Sequence, residues 1–245
     1  MSRAGETLKA RALCLDIRPW SKTSHIVVWL TPEGRVTTVV KGAVRPKSAF
    51  LGQYDLNYTC EIVYYARSKG DVHALRECSP LEFRENLRVS YRASLLAGYF
   101  RSLVMSLVPF GDESSKWMSF LEHSLDGLVD GQVVSTDAQY KIFLMGRLIH
   151  FEKGILDLCG LKPDFSGYDK TSQWSPFSVE TGRFDDSGGR LMRVSKDVAA
   201  YIDRSDYASE NLTIPLDAAR VIGVFYQFHL DCASDVRRTV IKMIS

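Results

Sequence analysis

Thr31-Pro32-Glu33-Gly34-Arg35-Val36-Thr37-Thr38-Val39-Val40-Lys41-Gly42-Ala43-Val44-Arg45-Pro46-Lys47-Ser48 reads as a turn, a β-run and a second, turn-rich loop in succession. Proline presets φ in the T-P-E-G tetrapeptide and Gly34 accepts positive φ, so the chain reverses there and enters a strand predicted over Arg35–Val44. Gly42 and Pro46 then let the backbone leave the strand sharply. From Arg35 to Ser48 there is no Asp or Glu, and the loop presents Lys41, Arg45 and Lys47. Three cations on such a loop can follow a phosphate backbone; a solvated loop is the plainer reading of the same residues.

Working outward, the runs Leu8–Ile17, His25–Leu30, Tyr54–Ala66 and Val72–Glu77 carry the same β texture, with alternation in Leu13, Leu15, Ile17 and in Ile26, Val28, Leu30. Five short antiparallel strands in about 75 residues suit a small closed barrel, the OB-fold among them, or an open sheet capped by the helices that follow. In the segment predicted as the loop between the first two strands, Trp20 stands between Arg18 and Lys22. It is either a ring on which a base can stack or a plug inside the barrel. Tyr54, Tyr58, Tyr64 and Tyr65 fit strand packing.

At Ser79-Pro80 the texture turns helical, with Ser79 as N-cap, Pro80 in the first turn and Glu82 just behind. Two domains are therefore expected, at 1–79 and 80–245. Leu95, Leu96, Tyr99, Leu103 and Val104 form one stripe; Trp117, Phe120, Leu121 and Leu128 a second; Tyr140, Phe143, Leu144, Leu148, Phe151 and Ile155 a third. These are bundle faces. Arg147, His150 and Lys153 recur at helical spacing beside the third stripe, either as cations flanking an apolar groove or as the amphipathic boundary of a core helix. From Lys162 to Arg193 the chain is polar and glycine-rich, a long excursion for a compact domain, before helices resume near Ser195 and Leu216.

Composition narrows the function classes. Residues 1–80 hold 12 Lys and Arg against 7 Asp and Glu, and residues 81–245 hold 19 against 22, so a basic front precedes a mildly acidic remainder. Cys14, Cys60, Cys78, Cys159 and Cys232 are scattered and form no C-x-x-C, which implies neither a disulfide framework nor a zinc knuckle. Apolar stretches such as Ala93–Phe100 stop near about eight residues, and the opening residues lack a signal-peptide core, so a soluble intracellular protein is expected. His25, His73, His123, His150 and His229 show no metal-ligand spacing. His73 and Cys78 fall on opposite faces of one strand, a poor nucleophile–base pair. No phosphate-binding, nucleophile-elbow or zinc-protease motif occurs, and Gly188-Gly189 sits in a polar loop. No enzyme, cofactor or metal is expected.

The T-P-E-G-R turn, the K-G-A-V-R-P-K-S loop and the later Phe151-Glu152 through Leu158-Cys159-Gly160-Leu161-Lys162-Pro163-Asp164-Phe165 segment, in this order and spacing, resemble the bacterial RecO recombination mediators. Val40 stands where that family usually has alanine before Lys-Gly. The resemblance implies an α+β protein: an N-terminal five-stranded OB-fold β-barrel, then an all-helical domain with a long irregular insertion. It also implies a bacterial cytoplasmic, nucleoid-associated protein that binds single- and double-stranded DNA and anneals complementary strands. Such a protein helps load recombinase onto strands coated by single-strand-binding protein, with RecR and the acidic, hydrophobic tail of single-strand-binding protein as partners.

On this reading Arg18, Trp20, Lys22, Arg35, Lys41, Arg45 and Lys47 meet DNA, and Arg147, His150 and Lys153 meet the tail. Many members carry a four-cysteine zinc finger after the P-D-L segment. Here its first pair would align near Tyr168 and Thr171, and no cysteine lies between Cys159 and Cys232. Residues 166–193 are therefore expected to keep the finger's path without metal, held by Trp174, Phe177 and Phe184.

Overall fold

The structure, a computed structural model, describes residues 5–68, 70–108, 114–130, 136–185, 189–204, 207, 209–230 and 234–245. Cys232 and the Asp186–Gly188 part of the polar loop lie outside the described residues. Five strands, β1 (Thr7–Ser21), β2 (Ser24–Thr31), β3 (Gly34–Val40), β4 (Thr59–Tyr65) and β5 (Val72–Glu82), close a barrel in the order β1-β2-β3-β5-β4. The long β1 pairs with β4 from Thr7↔Tyr65 to Leu13↔Thr59 and with β2 from Leu13↔Leu30 to Ser21↔Ser24, so one strand serves both neighbours. The T-P-E-G turn closes the β2–β3 hairpin at Thr31↔Gly34, with Gly34 at φ 134° and the Thr31 hydroxyl donating to the Gly34 carbonyl at 2.9 Å. A short parallel ladder, Thr37↔Val72 to Val39↔Ala74, joins β3 to β5 and completes the OB-fold.

Ala12, Cys14, Val27, Trp29, Val40, Cys60, Ile62, Leu75 and Cys78 fill the barrel, and Trp29 Nε1 donates to Thr38 Oγ1 at 2.8 Å inside it. This interior has the opposite parity from the alternation that Leu13, Leu15 and Ile26 suggest. Leu13, Leu15 and Leu30 are nonetheless at most 2% exposed, outside the barrel cluster, so β1 and β2 are buried on both faces. The reason is a helical cover. Arg11 Nη1 meets Glu122 Oε2 at 2.7 Å, Thr59 Oγ1 donates to Glu122 Oε1 at 2.6 Å, and Arg35 Nη1 donates to the Met105 carbonyl at 2.6 Å. One compact unit accordingly comprises Met1–Asn86 with Val104–Leu125.

Ser79 and Pro80 do not begin a helix. They continue β5, opposite Glu61 and Cys60. Because β3 pairs only with Val72–Ala74, β5 is an edge strand by Pro80, where a residue without an N–H is tolerated. A 3₁₀ turn at Glu85–Arg88 precedes helices α1 (Tyr91–Leu107), α2 (Ser114–Asp130), α3 (Asp137–Leu158), α4 (Lys196–Asp203), α5 (Thr213–Leu230) and α6 (Ser234–Ile244).

The second unit takes Leu87–Leu103 and Asp126–Ser245. Phe100 stacks on Phe151 at 3.7 Å in its core. Beside them the fully buried carboxylate of Glu152 accepts from Tyr99 Oη at 2.7 Å and from Arg237 Nε and Nη2 at 2.7 and 2.8 Å, tying α1, α3 and α6 together. Arg237 also donates to the Ala219 carbonyl of α5 at 2.6 Å.

The polar excursion holds order that its composition conceals. Strands β6 (Trp174–Ser178) and β7 (Leu191–Ser195) form an antiparallel ribbon. Phe177, fully buried, stacks on Phe165 at 4.7 Å and meets the edge of Phe184 at 5.2 Å. Phe165 thus joins Phe177 and Phe184 in holding the loop, while Trp174 stays 49% exposed. Among the described residues no three His, Cys, Asp or Glu side chains are grouped to hold a metal ion, and no helix is long and apolar enough to cross a membrane.

Candidate nucleic-acid interface

One end of the barrel gathers most of the residues singled out in the sequence. Lys22 and Thr23 make the two-residue β1–β2 turn, closed by Ser21↔Ser24. The register shifts between Pro19 and Ser21, so Trp20 is an extra, unpaired residue in β1 rather than part of a loop. Such a bulge re-aims its side chain, and Trp20 is 68% exposed. The tryptophan inside the barrel is Trp29.

The chain leaves β3 at Val40, four residues before the end expected for the strand, and passes through consecutive turns marked by Arg45 N to Gly42 O (3.1 Å), Ser48 N to Arg45 O (2.9 Å) and Gln53 N to Phe50 O (3.1 Å). Val44 N donates to Thr23 O at 3.4 Å and Gly42 N to Ser24 Oγ at 3.3 Å, which fastens this loop to the β1–β2 turn. Gly42 sits at φ 67°, and a Cβ there would lie 3.2 Å from Arg45 Cδ, so glycine is favoured both by backbone and by the arginine lying across it.

The loop's inner side is anchored. Phe50, Tyr54 and Leu56 pack against the barrel core, Tyr54 Oη shares a 2.8 Å hydrogen bond with His25 Nδ1, and the Cys60 and Cys78 thiols donate to the Gln53 carbonyl at 3.6 and 3.5 Å. The hydrogen bond with Cys60 and burial push the Cys78 thiol up. His73 lies elsewhere, stacked on Tyr64 at 5.5 Å, with burial lowering its pKa.

Lys22, Lys41, Arg45 and Lys47 are exposed at this end and make no ion pair among the described residues. Arg18 is exposed but bound to Asp16 at 2.5 Å. Arg35 is half-buried against the Met105 carbonyl, about 20 Å along β3 from the loop at ~3.3 Å per residue. Arg67 and Arg76 are further cations of the barrel outside the set named from the sequence, and Arg76 lies 5.8 Å over the ring of Tyr65. Lys69 lies outside the described residues. Val44 and Leu51 in the rim loop are exposed at 48% and 57%.

The three α3 cations part company. Arg147 lies against Gly127 of α2, where an added methyl would overlap its guanidinium. His150 meets the edge of Tyr207 at 5.8 Å, and Lys153 donates to the Ile202 carbonyl at 2.5 Å and lies 5.8 Å from the same ring. Burial lowers the Lys153 pKa, opposed by the charge of Asp203. His150 and Lys153 share a cavity of about 680 Å³ with Lys162, Phe165, Arg183 and Arg204.

The family model described as "Recombination protein O N terminal" matches residues 1–84. The DNA repair protein RecO of Alkaliphilus metalliredigens (strain QYMF) is 25% identical over 182 residues, 71% of this chain and 69% of that protein. The DNA repair protein RecO of Rhodopirellula baltica (strain DSM 10527 / NCIMB 13988 / SH1) is 30% identical over 124 residues, 49% of this chain and 45% of that protein, so the chain matches less than half of that relative. Among solved structures, aspartyl tRNA synthetase from Entamoeba histolytica aligns with 98% of this chain and 55% of its own at 11% identity and a TM-score of 0.26, a likeness too slight to define a shared fold. The first 84 residues thus match the RecO N-terminal domain, and the chain is similar, over that span and beyond it, to DNA repair proteins named RecO.

Proposed function

We propose that the chain is a DNA repair protein that binds DNA at the barrel rim, catalyses no reaction, anneals complementary strands and assists recombinase loading onto strands coated by single-strand-binding protein. The observation that carries this is the rim itself: Lys22, Lys41, Arg45 and Lys47 in solvent beside the projecting ring of Trp20, on a turn and a loop hydrogen-bonded to each other. Cations so placed neutralise phosphates and release counterions, and a ring accepts any base. Holding two screened strands together favours annealing without a nucleotide cofactor. In this reading residues 1–79 bind DNA and the rest of the chain, with α-helices from Tyr91 onward and a metal-free loop at 166–193, recruits RecR and the tail of single-strand-binding protein. The tail docks along α3 near His150, Lys153 and Arg147. The protein acts in the bacterial cytoplasm at the nucleoid.

The test is binding of the full chain to unrelated single-stranded sequences across a salt series. Replacing Lys41, Arg45 and Lys47 together by alanine weakens all of them alike and lowers the salt slope by about 2, at ~0.7 per phosphate contact. Unchanged affinity at every salt concentration overturns the assignment. Annealing rates with and without bound single-strand-binding protein then examine the mediator role. The exposed Val44 and Leu51 favour a second reading, an OB-type module for RNA or protein. Equal competition by RNA and single-stranded DNA of the same length would support it.

A further inference from the structure

The β6–β7 ribbon carries a surface that the core does not use. Register Pro176↔Arg193 and Ser178↔Leu191 puts Trp174, Pro176, Leu191 and Arg193 on one face, while Ser175, Phe177 and Val194 of the other face are buried. That inner face is rigid, because Phe177 is clasped by Phe165, Phe184 and Phe225. On the outer face Trp174 is 49% exposed, and Leu191, at the other end of the ribbon, 46%. The Arg193 guanidinium lies 5.7 Å from the Trp174 ring centre, already ordered beside it.

We propose that this ribbon is a second single-stranded nucleic-acid surface, on which Trp174 stacks a base while Arg193 holds the adjoining phosphate. The inference rests on the DNA-binding reading for its ligand, but on different residues. Charge supports the occupant: from Gly189 to Lys196 the chain has Arg190, Arg193 and Lys196 and no Asp or Glu.

The acids nearby fix the orientation. A cavity of about 320 Å³ beside Trp174 is lined by Asp169, Ser172, Phe184 and Asp185. Asp169 is held by the Thr171 and Ser172 hydroxyls at 2.7 and 2.6 Å, and Asp185 accepts from Thr181 at 2.9 Å. Two carboxylates repel phosphate and accept from the exocyclic amino group of a base, so the base enters the cavity and the backbone runs outside over Arg193. Cytosine and adenine are thereby preferred to thymine. Annealing requires two strands held at once, and a ribbon separate from the rim supplies the second hold.

The experiment is photocrosslinking of the full chain to oligo-dC and oligo-dT carrying 5-bromopyrimidines, with peptide mapping, alongside affinity measurements. An adduct at Trp174 is expected in addition to those at the rim, stronger with oligo-dC. Trp174→Ala lowers affinity for oligo-dC about tenfold, Trp174→Phe restores most of it, and Arg193→Ala reduces the salt slope by about 0.7. Both side chains are exposed, so equal melting temperatures certify the fold. Adducts confined to residues 1–84, with Trp174→Ala binding as the parent, overturn the ribbon and leave the rim standing. A Trp174 adduct that survives in the Lys41, Arg45 and Lys47 variant of unchanged affinity does the reverse.

Discussion

At the barrel rim, Lys22, Lys41, Arg45 and Lys47 stand in water and hold nothing in the described residues, whereas inside the helical unit Arg237 has a side chain only 12% exposed and is bound to a carboxylate, Glu152, that is wholly buried. The same charge does opposite work in the two places. In water a cation is screened and adds little stability, so it remains available to a polyanion. In the core, burial opposes the charged form of Arg237 and the attraction of Glu152 outweighs it, holding the guanidinium protonated more firmly than usual. Its charge is fully committed to joining four helices.

The sharpest break between the regions is in stability. Arg237→Ala leaves Glu152 buried without its cation and is expected to cost ~3–5 kcal/mol in urea unfolding, while the combined alanine variant of Lys41, Arg45 and Lys47 stays within about 0.5 kcal/mol of the parent. A loss below about 1 kcal/mol for Arg237→Ala would erase the contrast. Of intermediate size is the effect of Trp20→Ala, which removes a stacking ring and no charge. Affinity for single strands falls by ~1–3 kcal/mol with the salt slope intact, and a changed slope would show the tip contributing through charge instead. The smallest effect concerns a carboxylate that is neither buried nor at the rim. Asp169 is drawn down to about 2 by hydrogen bonds from Ser172 and Thr171. Its folded value lies below its unfolded value, so its stabilising contribution is complete above about pH 4 and fades as pH falls toward about 2. An NMR titration placing its midpoint with ordinary carboxylates near 4 would remove that contribution.

The hairpin at Thr31–Gly34 was legible because proline and glycine dictate it locally, and the three helical stripes because their period spans many residues. The parity of β1 was not, since a register shift between Cys14 and Asp16 breaks the alternation and helical cover makes both faces apolar. Tyr54–Tyr58 read as strand, yet Asn57 adopts φ 70° and Tyr54 turns inward beneath the loop. The rim cations were legible as a run without acids. Trp20's exposure depends on a bulge that no residue type announces. Glu152 and Arg237 are 85 positions apart, so their pairing belongs to the tertiary fold. The ribbon was hidden by Pro176 and by its polar flanks, which read as loop.

The barrel is sealed by a parallel seam of three residue pairs, Thr37–Val39 against Val72–Ala74. If that seam parts, β3 gains a bare edge whose centre, Val36-Thr37-Thr38-Val39-Val40, is uncharged and β-branched throughout, the composition that templates strand-to-strand association between molecules. Arg35 and Lys41 bracket the run on either side. The lysine that opens the rim therefore also guards the chain against its own kind, a duty independent of any nucleic acid.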